Sequence, residues 1–145
     1  MSLSGVDEVI ERSHQGCTVF VTGDPEPLKD AFSHRDDVTL ANPWGPPVRG
    51  WKQAAETMDR AATNWHDGIA EGFDLVTKHE SPDLAYTVEI ERYRAKLGDS
   101  DEIVKVALRV TQVYRPEDGV WKIMHRHADH ITSPRTAETL VKEAR

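Results

Sequence analysis

Apolar positions in this chain recur first at helical spacing and then at strand spacing. Val6, Val9 and Ile10, with acids early in the segment, predict an amphipathic helix from Ser4 to about Gln15. Thr18-Val19-Phe20-Val21-Thr22 is β-branched and favours a strand by propensity, so the local signals conflict there. Gly23-Asp24-Pro25 stops the chain and restarts it as a short helix to about Phe32, with Asp24 as cap and Pro25 at its first position. Val38 to Asn42 reads as a short strand ended by Pro43, and Pro43-Trp44-Gly45-Pro46-Pro47 as a stiff loop. Ala54, Ala55, Met58, Ala61, Ala62 and Trp65 mark the buried side of a helix from about Trp51 to Trp65.

After Asp67-Gly68 the period drops to two. Strands are predicted at about 69–79, 84–97, 103–115 and 119–131, with turns at Ser81-Pro82-Asp83, Gly98 to Asp101 and Pro116 to Gly119. Three helices followed by an antiparallel meander make an α+β fold with helices covering one face of the sheet. The chain reads as one domain over 1–145, with its core at about 5–131 and a tail from 132 that forms a short helix.

Composition narrows the partners. A chain of 145 residues with a net charge of −7 lacks the basic footprint that nucleic acid requires. No apolar run approaches the roughly 20 residues of a membrane span, and Met1 to Gly5 lacks the halves of a signal peptide. The single cysteine, Cys17, excludes an intramolecular disulfide and reads as a small core residue. The expectation is a cytoplasmic protein with no nucleic-acid or membrane partner.

The segment Val120 to His130 concentrates three of the seven histidines on the second strand of a hairpin. Side chains alternate between faces along a strand, so unbroken pairing puts Trp121, Ile123, His125 and His127 together. An apolar stripe that turns polar at one end suits a lined pocket.

Phe32-Ser33-His34-Arg35-Asp36-Asp37-Val38-Thr39-Leu40-Ala41-Asn42-Pro43-Trp44-Gly45-Pro46 resembles the first strand and loop of ketosteroid-isomerase-like proteins. Arg109 to Arg115 and Gly119 to His127 resemble the closing hairpin of SnoaL-like proteins. Both groups belong to the nuclear transport factor 2-like superfamily. The resemblance implies a strongly curved sheet wrapped over about three N-terminal helices as a cone with an apolar pocket. It further implies homodimers paired through the outer sheet face, and it reads residues 18–22 as the end of the first helix. The fold hosts many activities, so it does not name one. The isomerases hold a general-base aspartate at the position of Asn42. An amide cannot take up a proton near neutral pH, which disfavours steroid isomerisation. Their acidic hydrogen-bond donor falls near Thr111, a weaker donor.

Antiparallel pairing with His125 and His127 places Ala107, Arg109, Thr111 and Val113 on the pocket face. It leaves Val104, Val106, Leu108, Val110, Gln112 and Tyr114 for an interface. On the preceding strand Glu89, Glu91 and Tyr93 go to the pocket, and Val88 and Ile90 to the interface. The predicted catalytic set is therefore His125 or His127 as base with Arg109 stabilising negative charge, and Glu89 and Glu91 supporting. Ligand contacts are expected from Asn42, Trp44, Trp65 and Thr111. The function so read is binding of a small hydrophobic organic molecule, with isomerase- or lyase-type acid–base chemistry and no cofactor. The spacing His125-x-His127-x-x-His130 invites a metal, but His130 falls on the other face of an unbroken strand, so no metal is assigned. His66 reads as a helix-end residue, and His14, His34 and His79 as surface residues. The contrary reading is a non-catalytic dimeric module with its cone filled by side chains. An open cavity of several hundred cubic ångströms favours binding, whereas His125 tied to Glu89 or Glu91 in a filled interior favours the module.

Overall fold

The computed structural model describes residues 5–144. Helix α1 (Gly5–Phe20) runs through the residues where propensity favoured a strand, because Val6, Val9, Ser13, Gly16 and Cys17 bury one continuous side of it. Burial of that side outweighs the β-branched tail. Ser4, the predicted helix start, lies outside the described residues. Helix α2 (Glu26–Ala31) follows the Gly23 break, with the Asp24 carboxylate accepting the Glu26 N–H at 3.0 Å. Gly16 lets α1 and α2 cross closely, since a Cβ there would stand 2.7 Å from the Leu28 Cα.

Strands β1 (Thr39–Ala41) and β2 (Val48–Arg49) flank the proline loop, and α3 (Trp51–Ala62) packs Ala54, Met58, Ala61 and Ala62 inward. The long strands are β3 (Trp65–Glu80), β4 (Ala85–Leu97), β5 (Val104–Glu117) and β6 (Val120–Asp129). Trp65 and His66 therefore open a strand instead of closing a helix. The six-stranded sheet has the order β2-β1-β6-β5-β4-β3, antiparallel except where β1 runs parallel to β6. Three register shifts between β3 and β4 are the bulges that bend a sheet. A mixed, curved sheet over N-terminal helices is the α+β cone expected. The tail helix α4 (Ala137–Glu143) buries no residue. No helix among the described residues is long and apolar enough to cross a membrane.

A fourth register shift decides the site. Val113 pairs with His125, but Tyr114 pairs with Ile123, so β6 carries one extra residue, Met124. A one-residue insertion flips every side chain beyond it to the other face. Ile123 points into the core. Beyond the bulge, Arg126 and Ala128 point inward in place of His125 and His127.

Candidate functional site

Residues directly opposite in a ladder share a face. Glu91 pairs with Leu108, Val110 with Ala128, and Gln112 with Arg126, and all six are buried. Ile90 pairs with Arg109 and Val88 with Thr111 on the outer face. The inner set of β5 is thus Leu108, Val110, Gln112 and Tyr114, the residues predicted for an interface. That correction, like the next, follows from the Met124 bulge.

His125 and His127 lie outside the cone, and so does Arg109. His125 Nδ1 shares a hydrogen bond with Thr39 Oγ1 at 2.7 Å, and its pKa is lowered by burial and by neighbouring His127. His127 Nε2 sits 3.1 Å from the Asp129 carboxylate, to which Arg109 Nε also donates at 2.6 Å. Arg109 holds Asp129 below the usual carboxylate range, against the effect of burial. Thr111 is outside with them. This exposed Arg–Asp–His cluster touches nothing in the cone, so the predicted catalytic set is corrected as a pocket assignment.

Inside the cone, an apolar cavity of about 240 Å³ opens between α1, α2, α3 and the sheet, walled by Phe20, Leu28, Leu40, Met58, Trp65 and Leu108 among others. Asn42, Trp44 and His130 also line it. Trp44 is half exposed, its ring 5.9 Å from that of Trp65, and Trp65 packs edge-on to Tyr93. Asn42 Oδ1 accepts the Trp44 N–H at 3.0 Å, which fixes the entry to the proline loop. A second hollow lies on the other side of that loop and shares Asn42, Trp44 and Ala61 with the first.

The polar floor of the cavity is Glu91 with Arg126. Arg126 Nη2 donates to Glu91 Oε1 at 2.8 Å and Nη1 to Oε2 at 2.9 Å, a two-pronged pair. Tyr93 OH donates to Oε1 at 2.7 Å, and the Cys17 thiol makes a weak contact with Oε2 at 3.8 Å. Behind the pair, Arg126 Nη1 also donates to Gln112 Oε1 at 2.8 Å. Gln112 Nε2 donates in turn to Ser13 Oγ and Tyr114 OH, and Tyr114 bonds Thr87. Burial by itself raises a carboxyl pKa, yet the Arg126 charge holds Glu91 below its ordinary value. Arg126 is raised well above its own ordinary value despite burial, because Glu91 faces it. Burial and the Glu91 charge push Cys17 up to about 12, so its thiol stays protonated. Glu91 is therefore a fixed carboxylate with both oxygens engaged, which makes it a poor proton acceptor.

Glu89 is also inside, but it answers to a different partner. His14 Nε2 lies 3.0 and 2.9 Å from its two oxygens, and the imidazole stacks on Phe73 at 4.1 Å. His14 is thus a half-buried partner of a buried glutamate instead of a surface residue. His34 is exposed, as expected, and there stacks on Trp51 and meets the Lys29 carbonyl at 3.0 Å. No group of histidines and acids among the described residues could hold a metal ion. The sequence reading gave Arg126 no role, put Gln112 at an interface and weighed His130 only as a metal ligand. A partial signal existed: two carboxylates assigned to the interior need cations, and the hairpin offers Arg126 as well as Arg109 near the middle of a strand.

The SnoaL-like domain family matches residues 9–131 of this chain. Among solved structures, it is similar to a nuclear transport factor 2-like superfamily protein of Salmonella enterica serovar Typhimurium LT2. The identity is 19% and the TM-score 0.74, over 94% of this chain and 99% of that one. A ketosteroid isomerase-like protein of Erwinia carotovora atroseptica matches at 17% identity and TM-score 0.70, over 87% and 95%. The hexachlorocyclohexane dehydrochlorinase of Novosphingobium barchaimii LL02 matches at 19% and 0.70, over 91% and 90%. At these identities the likeness is one of fold. No curated protein matches the chain by sequence.

Proposed function

The chain belongs to the SnoaL-like domain family, and on that premise we propose that it binds a small, largely apolar organic molecule inside the cone. The observation that carries this reading is the unfilled apolar cavity ending on Arg126 and Glu91. Side chains that filled the cone would have left no such space, and His125 is tied to Thr39, away from both inner glutamates. At about 240 Å³ the space is smaller than the roughly 300–1,000 Å³ of drug-sized sites, which suits a guest of one or two rings. Trp44 and Trp65 offer flat faces for it, and Asn42 a polar group at the mouth.

The test is a thermal-shift series with one-ring probes, run on the parent and on Ala61→Leu and Ala128→Leu, which grow into the cavity. Binding to the native state raises Tm with probe concentration. The expected result is a shift in the parent that the filled variants lose. Equal shifts in all three, or none in the parent, overturn the reading.

A second reading, acid–base chemistry of the lyase or isomerase type, is favoured by one observation. Of the seven histidines, His130 is the one lining the cavity, and no hydrogen bond from the described residues engages its ring. It stands four residues beyond Arg126, ~13 Å away at strand rise, so it serves the outer end of a bound molecule. The dehydrochlorinase among the structural neighbours performs an elimination on this fold. Loss of turnover in His130→Ala with ligand binding retained supports this reading, and unchanged turnover rejects it. Homodimerisation through the outer sheet face, where Val88, Ile90 and Val113 stand half-buried, is part of the same proposal. Light scattering checks it, with Ile90→Asp expected to give a monomer.

A further inference from the structure

The floor of the cavity has several spare hydrogen-bond donors and, besides the Tyr93 oxygen, no side-chain acceptor to match them. A guanidinium carries five N–H groups. Arg126 uses two of them from Nη1, to Glu91 and Gln112, and one from Nη2, to Glu91. The second Nη2 hydrogen and the Nε hydrogen have no partner among the described residues. No buried side-chain nitrogen or oxygen among the described residues lacks a partner, so Arg126 Nε keeps accessible surface, and the space this side chain lines is the cavity. The same argument applies to Trp65 Nε1, which makes no hydrogen bond to the described residues although Trp65 is otherwise buried. Glu91, by contrast, has each oxygen approached by two donors, Tyr93 and Cys17 completing what Arg126 begins. Nothing remains there to receive a ligand proton.

Charge narrows the class further. Arg126 and Glu91 cancel, and the Cys17 thiol beside them is neutral. An anionic ligand would bring a second negative charge into a buried space whose cation is already matched, at a desolvation cost that nothing repays. An ammonium would add an unmatched charge and set three N–H groups against the single Tyr93 oxygen at the floor. A hydroxyl has only that oxygen for its own hydrogen, whereas a carbonyl brings no hydrogen that needs a partner. We infer that the ligand is a neutral carbonyl compound, such as a ketone, ester or lactone, with its oxygen on Arg126 and its apolar body along the Trp65 wall. This rests on the binding reading above and adds to it the class of molecule bound.

Four probes of one shape test it: acetophenone, ethylbenzene, benzoate and benzylamine, measured by calorimetry or ligand-observed NMR. Acetophenone should bind at least about tenfold more tightly than the other three, as expected of a hydrogen bond from a charged donor. Ethylbenzene binding as well as acetophenone overturns the inference and leaves the cavity reading standing. Benzoate or benzylamine binding best overturns it too, and no binding by any probe overturns both. Glu91→Gln removes the matching charge at nearly constant shape, so the order should reverse towards benzoate, and an unchanged order speaks against the charge argument. Should that variant not fold, the infrared carbonyl band of acetophenone bound to the parent decides. A band below its position in an apolar solvent supports the inference, and an unshifted band refutes it.

Discussion

Replacing Arg126 by methionine tests the energetic core of the site. The Arg126 side chain is 10% exposed and that of Glu91 1%, so solvent cannot compensate for a lost partner. Methionine fills similar volume but withdraws both prongs from Glu91 and the donor from Gln112. Leaving a buried carboxylate unpaired costs roughly 3–5 kcal/mol, or about 10 °C in Tm for a chain of this size. The pH dependence carries the diagnosis. In the parent, Glu91 titrates below its unfolded value, so its contribution is fully present above that value and lost as the pH falls through the folded one. In Arg126→Met, only the Tyr93 hydrogen bond and the His14 charge still oppose burial, and the folded pKa rises above the unfolded one. Stability then grows as the pH falls from 7 towards 5, because the carboxyl can protonate. Urea and thermal unfolding by circular dichroism at both pH values measure this. The double variant Arg126→Met/Glu91→Leu should recover most of the loss, since an apolar pair of similar volume is often neutral or better. A single variant losing less than about 1 kcal/mol, or one with the parent's pH profile, refutes the account of the floor as a desolvated ion pair.

Further outcomes can be checked independently. Gly16→Ala should cost about 1–3 kcal/mol in urea unfolding, because the new methyl meets the α2 backbone at Leu28. Cys17 should resist iodoacetamide in the folded protein and react fully in denaturant, since burial and Glu91 push its pKa up to about 12. Asp37→Asn breaks the two-pronged contact with Arg115 at 2.6 and 2.7 Å. Asp37 is 47% exposed, so screening holds the loss to less than about 1 kcal/mol. With its pKa lowered to about 2 by Arg115, that contribution is present above the ordinary value of 3.8 and vanishes as the pH falls through about 2. Denaturation at pH 7 and near pH 2 separates the two cases.

The alternation of β4 was legible from residues alone. Val88 and Ile90 on one side and Glu89, Glu91 and Tyr93 on the other is a clean period of two, and the inward side proved polar because its partners lie on other elements, His14 on α1 and Arg126 on β6. The breaks at Gly23, Pro43 and Gly98 were equally plain, since those residues act through their own backbone. The path of α1 through Thr18-Val19-Phe20 was not plain from propensity. It depends on what Cys17 and its neighbours bury against, and the resemblance supplied it where local preference pointed the other way.

By itself, then, the sequence determined the α+β class, the strands and turns of the meander, and the presence of carboxylates on an inner face. Each follows from periodicity or from backbone constraints carried by single residues. Only the tertiary structure decided which end of the hairpin's chemistry faces inward. The extra residue at Met124 has no local signature, because a bulge is a mismatch between two strands and belongs to neither alone. That mismatch turns His125 and His127 out, turns Arg126 in, and sets it opposite Gln112 and against Glu91. Two charges far apart in sequence become a neutral floor with donors to spare because the register between β5 and β6 slips by one.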